Sequence, residues 1–350
     1  MSRLRATGLV LLALVLAAIG AAPRTALACW LAAWWWALGV VLGVFANGWI
    51  HALTGGAWGR PVRAAAAVLS PRLPWLLPGL AVVAFGLHDL YPWASLDDAG
   101  WKRLAQQPAF LRAWLSPAFF AARLLAYAVA WWLLARPASL ATRGRAAASV
   151  IAYALVTTLA SVDLLASLVP GWSSTAFGLV AMATQAFCGA AAVALLGLAD
   201  GPPVPGTAGV PLSRDIGNLL LMWCMGWAYL AFMQFLVIWS ENLPREIAWY
   251  VPRLQSGWRW GGIALVLAMF AVPFTALLFR AVKDRPRRLR ALAVVVLAAG
   301  AFDCAWMVLP SIVPHDPRAW WLAPLAFAGM ALVLFAGPQP RHAAARSAHA

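Results

Sequence analysis

The chain has 350 residues, of which 64% are hydrophobic and 11% charged, and its mean hydropathy is +0.80. A water-soluble domain carries about a quarter of charged residues, so the composition excludes one and leaves an integral membrane protein. The net charge of +15 would suggest nucleic acid in a soluble chain; here it fits positive loops facing anionic lipid, and no nucleic-acid partner is expected.

Only helix bundles and closed barrels satisfy the backbone inside lipid. The apolar runs are continuous rather than alternating, which predicts an all-α membrane protein. Ten spans are expected, at 7–22, 27–50, 74–91, 114–135, 147–169, 172–198, 216–240, 258–279, 289–312 and 319–337. Each has about the length that crosses roughly 30 Å of hydrocarbon at about 1.5 Å per residue.

The first span is the shortest. Behind MSRLR it has the form of a signal peptide or an uncleaved anchor, and the anchor is favoured because no polar mature segment follows. After span two, His51, Trp58 and Arg60 open an amphipathic stretch that is expected to form a cytoplasmic surface helix. Span three ends outward in GLHDLYPW. GPPVPGTAGVP, at 201–211, is a flexible cytoplasmic linker by composition. The polar tail RHAAARSAHA carries His342 and His349, read as incidental. His315 is read as structural. The tryptophans, including WWW at 34–36 and WW at 320–321, are expected to anchor helix ends at the interface.

Lysine and arginine set the orientation. One set of loops carries 17 of the 26 and the other set 8, which places both termini in the cytoplasm. The cysteines, Cys29, Cys188, Cys224 and Cys304, lie in separate apolar runs without CxxC spacing, so they are read as small buried residues. Haem, iron–sulfur and other metal ligation is not expected.

Ionisable residues within spans are costly and mark candidate sites. Arg123 lies about nine residues into span four, Asp163 about six before the end of span five, and Asp303 about nine before the end of span nine. The three fall within about one helical turn of a common depth in the outer half of the bilayer. Spans four and five are joined by a short turn, so Arg123 can pair with Asp163. That pair either fixes helix register or lines a polar pocket. Asp303 has no cation in its own span and is the stronger candidate for proton handling. SPAFFAAR in span four echoes VPFTALLFR in span eight, and each following span carries an Asp, which suggests that spans two to five and six to nine are parallel repeats.

IWSENLPREIAWYVPRL joins spans seven and eight on the outer side. Its proline cannot continue the helix, and Trp239, Trp249, Trp258 and Trp260 fit an aromatic belt. Glu241, Arg245, Glu246 and Arg253 are expected to pair on a short surface helix, either as a solvated cap or as a dock for a partner subunit.

The stretch NLLLMWCMGWAYLAFMQFLVIWSENLPREIAWYVPR resembles the NrfD/polysulfide-reductase-type membrane subunits, and most resembles the ActF-type quinone-binding subunit 2 of alternative complex III. HALTGGAWGRPVR, GLHDLYPWA, FFAARLLAYAVAWW, ASVDLLASLVPGWSSTAFG and FDCAWMVLPS add to the resemblance in order across spans two to nine. It implies two four-helix bundles plus two peripheral helices. The corresponding divisions are an anchor helix at 1–26, bundles at 27–170 and 171–315, and a last helix with tail at 316–350. It also implies a subunit of a respiratory quinol:cytochrome c oxidoreductase in a bacterial inner membrane, working beside membrane and periplasmic electron-transfer subunits. Quinone or quinol is the implied cofactor. Carboxylates in the family's spans serve quinol chemistry or proton movement, a role that falls here on Asp163 and Asp303 with Arg123 as partner. His88 and Asp89 are candidate quinol contacts, with an interfacial hydrogen-bonding His88 as the alternative. Leu164 stands where the family usually has an aromatic residue, and Gly171 where it has a bulkier polar one. A proton- or solute-translocating transporter and a non-catalytic assembly subunit are the competing functions.

Overall fold

The computed structural model describes residues 3–104, 108–198 and 210–336, and among them every regular element is a helix. Positions 201–209 of the expected linker and the tail with His342 and His349 lie outside the described residues. Each of the ten apolar runs corresponds to helix. We label α1 (Arg3–Ala17), α2 (Pro23–Thr54), α3 (Gly59–Leu69), α4 (Gly79–Phe85), α5 (Pro117–Leu134), α6 (Arg143–Leu164), α7 (Phe177–Gly197), α8 (Leu212–Glu241), α9 (Trp258–Leu278), α10 (Pro286–Ile312) and α11 (Ala319–Phe335). The stretch 59–90, which contains the third span, is broken into α3, α4 and shorter helical turns around Pro71, Pro74 and Pro78.

Helices α2 and α7 form the centre and pack on one another. Around α2 lie α3, α4 and α6, with α5 packed on α6; around α7 lie α8 and α10, with α9 packed on both; α3 and α6 also pack on α7, and α10 also packs on α2. Helix α1 packs along α11, which in turn packs on α2. The α2–α7 crossing is made by Gly43 and Gly189: a Cβ on either would overlap backbone atoms of the opposite helix. Lipid tails are as apolar as leucine side chains, so close backbone approach at small residues is a main source of attraction between spans.

Side chains of one helix donate to main-chain carbonyls of another. A proline has no N–H for the carbonyl four residues earlier. In α9, Pro273 follows a π turn at Leu267–Ala271, and the Cys224 thiol of α8 donates to Met269 O at 3.5 Å. At the broken third span, Trp34 Nε1 donates to Leu76 O at 2.7 Å and Trp30 Nε1 to Gly79 O at 3.2 Å.

Several expectations are corrected. Trp34, Trp35 and Trp36 are buried well inside α2, not at a helix end. They stitch neighbouring helices together, Trp36 Nε1 reaching Leu297 O of α10. Trp320 and Trp321 are exposed at the start of α11, as a belt requires. The amphipathic stretch after His51 does not lie with its apolar face on lipid. Helix α2 has 32 residues, about 48 Å, and its overhang offers α3 a protein surface; Val62, Ala65, Ala66 and Leu69 are buried against α2 and α7. The SPAFFAAR and VPFTALLFR segments are not equivalent either. Pro117 begins α5, whereas Pro273 follows the π turn deep in α9 and Arg280 lies past that span's end.

Candidate functional site

Arg123 and Asp163 meet, as their spacing predicts. Arg123 Nε donates to Asp163 Oδ2 at 2.7 Å and Nη2 to Oδ1 at 3.1 Å, a two-point pair with both side chains buried. Two more donors complete it: Trp114 Nε1 to Oδ1 at 3.0 Å and Tyr127 Oη to Oδ2 at 2.6 Å. The third guanidinium nitrogen donates to Trp114 O at 2.6 Å, and the guanidinium carbon lies 4.2 Å from the Trp114 ring centroid and 4.6 Å from that of Phe119. Tyr127 is one helical turn beyond Arg123, so both point to the same side of α5. Each Asp163 oxygen therefore holds two donors. A charge-assisted pair of this form fixes a carboxylate firmly, and it ties α5, α6 and the turn before α5 into one unit.

Asp303 is different. It is 2% exposed, and the one hydrogen bond of ordinary geometry to its carboxyl comes from Thr184 Oγ1 of α7, at 2.6 Å. The Trp227 indole N–H of α8 also acts on it, yet that nitrogen is buried without a well-formed bond. Among the described residues no arginine or lysine pairs with Asp303. A buried carboxyl with a single strong donor has unfilled lone pairs and no counter-charge, so it is chemically open where Asp163 is closed. Three helices position it: α7 supplies Thr184, α8 Trp227 and α10 the aspartate itself.

The three charges thus do not form one cluster. Arg123 and Asp163 sit on α5 and α6, and Asp303 on α10, which packs on both α2 and α7. Sequence reading missed Thr184, Trp227, Trp114 and Tyr127. Of these only Tyr127 carried a local signal, its spacing from Arg123.

His88 and Asp89 are exposed on the short helical turn Leu87–Leu90. Glu241 and Arg245 are exposed, and Glu246 is half-buried. Helix α8 stops at Asn242, whose left-handed backbone (φ 50°) turns the chain. None of Glu241, Arg245, Glu246 and Arg253 forms an ion pair among the described residues, contrary to the expected pairing. Arg253 is turned inward and has no solvent exposure. Its Nε donates to Trp306 O at 3.1 Å, and Nη2 to Met307 O at 2.6 Å and Ser311 Oγ at 2.9 Å; Nη1 donates to Trp249 O, and the guanidinium stacks 3.4 Å from the Trp249 ring centroid. Trp306 O is the carbonyl that Pro310 leaves without a helical donor. Trp249 and Trp258 are buried with it, while Trp239 and Trp260 stay exposed.

A cleft of about 540 Å³ opens between α10 and α11, walled by Trp36, Leu297, Phe302, Trp320 and Phe327. Its lining is hydrocarbon and aromatic. Asp163, Asp303, His88 and Asp89 do not line it; Asp303 faces α7 and α8 from another side of α10. The cleft suits an apolar tail and offers a quinol ring no carboxylate or histidine. Neither the family models nor the curated proteins compared with this chain contain a match.

Proposed function

We propose that this chain is a membrane subunit of a respiratory quinol:cytochrome c-type oxidoreductase, and that its own contribution is proton handling at Asp303 without a redox metal. The observation that carries the reading is a fully buried carboxyl, held by Thr184 and facing a Trp227 indole that lacks a well-formed bond, with no cation paired to it among the described residues. Intramembrane carboxyls of that kind are retained for function because they cost stability. The resemblance of the Asn218–Arg253 stretch to NrfD-type subunits supplies the reaction class. A quinol, when bound in such a complex, releases two electrons and two protons. Asp303 takes a proton on a carboxylate oxygen, and Thr184 Oγ1 stabilises the charged form by donating to it, with the Trp227 indole N–H facing it as a second donor within reach. The Arg123–Asp163 pair serves as a fixed structural anchor. The bacterial inner membrane, cytoplasmic termini and electron-transfer partners belong to the same proposal.

A transporter is the weaker reading. Breaks in matched spans of two repeats would favour it, but the breaks here fall in the third span and in α9, which occupy different places in the two sets of helices.

Two measurements test the proposal. Purification in mild detergent followed by mass spectrometry is expected to recover haem- and iron–sulfur-containing subunits; a lone homo-oligomer would sink it. In the assembled complex, Asp303→Asn is expected to slow quinol-dependent cytochrome reduction by about tenfold or more while co-purification persists, and Asp303→Glu to recover part of the rate. Unchanged turnover removes the proton role.

A further inference from the structure

The stretch 59–90 is broken at a depth where lipid tolerates no break. Trp34 and Trp30 of α2 donate to Leu76 O and Gly79 O, which fixes the level of the break on α2. Trp34 lies eleven residues past Pro23, about 16 Å along the helix. The polar tie of Thr25, Asp316 and Arg318 lies at the Pro23 end of α2 and marks that end as an interface. The break is therefore close to the middle of about 30 Å of hydrocarbon. Its inward side is served by the two indoles. On its outward side Pro74, Trp75, Pro78, Ala81 and Phe85 are exposed, Trp75 by 76% and Phe85 by 90%. We propose that this outward face docks a membrane-spanning helix of another polypeptide.

Exposed apolar side chains alone would suit lipid, and the unbroken spans show many. The backbone makes this face different. Pro78 has no N–H to give the carbonyl of Pro74, and the two indoles serve Leu76 and Gly79 instead; among the described residues no side chain donates to Pro74 O. Irregular backbone at membrane depth is tolerated only under protein or beside a water-filled cavity. Pro74, Trp75, Pro78 and Phe85 line neither the large cleft beside α11 nor the smaller ones of about 210 and 160 Å³. Their side chains are apolar, so water has no polar wall to hold it. A helix brings what the face lacks. A serine, threonine, asparagine or glutamine on it can donate to Pro74 O, and small residues let its backbone approach over Pro78 and Ala81. Trp75 is an anchor of the kind that dominates such contacts. The inference goes beyond the role of Asp303 and is the same whichever chemistry the assembly performs.

The test uses the full chain in its native membrane, with photoreactive p-benzoylphenylalanine in place of Trp75 or of Phe85. Irradiation is expected to join each probe to an apolar span of one polypeptide of different sequence, mapped by mass spectrometry, that co-purifies in fixed ratio in mild detergent. Trp75→Ala with Phe85→Ala is expected to lower recovery of that polypeptide by about tenfold or more, while Trp75→Phe with Phe85→Leu retains part of it. Both residues are exposed, so the Ala pair should melt at the wild-type temperature; where it does not, the photo-adducts of the otherwise unaltered chain decide. Adducts confined to lipid, to this chain or to a second, isotope-labelled copy of it overturn the interface, as does full recovery of the partner by the Ala pair.

Discussion

Arg253 donates to the carbonyl of Trp306, the group that Pro310 leaves without a partner inside α10. The arginine lies on the connector between α8 and α9, yet it completes the backbone of a different span. Inside lipid no water can take that role, so the unpaired carbonyls would each cost energy.

Arg253→Ala should therefore destabilise the chain by about 3 kcal/mol or more, because several buried acceptors lose their donor at once. Pro310→Ala restores an N–H to Trp306 O. In that background the cost of Arg253→Ala should shrink, and unfolding of the four proteins in a mixed-micelle titration checks it. Additive costs would show that the arginine and the proline are not coupled.

The Arg123–Asp163 pair should behave as a unit. Arg123→Gln or Asp163→Asn alone leaves a buried partner poorly matched and should cost about 3–5 kcal/mol. Arg123→Met with Asp163→Leu should cost clearly less than the sum of the two single changes. The same unfolding titration reads this; a double variant as damaged as the sum would deny the coupling.

The α2–α7 crossing should tolerate no side chain. Gly43→Ala and Gly189→Ala each place a Cβ into the opposite backbone, and overpacking of this kind costs about 1–3 kcal/mol, occasionally more. Lower melting temperatures in detergent are expected, whereas Gly144→Ala, which meets nothing within 4 Å, should be nearly silent.

One tie is acid-sensitive. Thr25 Oγ1 and Arg318 both donate to Asp316, joining the start of α2 to the turn before α11. The Arg318 guanidinium, then Thr25, hold the Asp316 carboxyl down from 3.8 to about 2. A depressed carboxyl contributes stability above its unfolded value and loses it as pH falls through the folded one. Hydrogen exchange in the 313–319 turn should thus speed up as pH drops from 3.8 toward about 2 once intrinsic rates are divided out, and Asp316→Asn should abolish that dependence.

What the sequence determined by itself follows from the solvent. Lipid satisfies no backbone group, so long apolar runs had to become helices, and all ten expected spans correspond to helix. The Arg123–Asp163 pair was legible for a similar reason: two opposite charges in antiparallel neighbours at one depth have few alternatives to each other. Tertiary structure decided the rest. The connector's charged composition resembles a surface helix, and no local signal says that Arg253 turns inward, because its reason is a proline on another helix. Trp34–Trp36 look like an interfacial belt until packing presents main-chain carbonyls to two of their indoles, Leu76 O at the broken third span to Trp34 and Leu297 O of α10 to Trp36. Asp303 was visible as a costly residue, but its meaning depends on Thr184 and Trp227, which come from two other helices. Which buried polar groups are satisfied and which stay open is settled only when the helices pack, since their partners are remote in the chain.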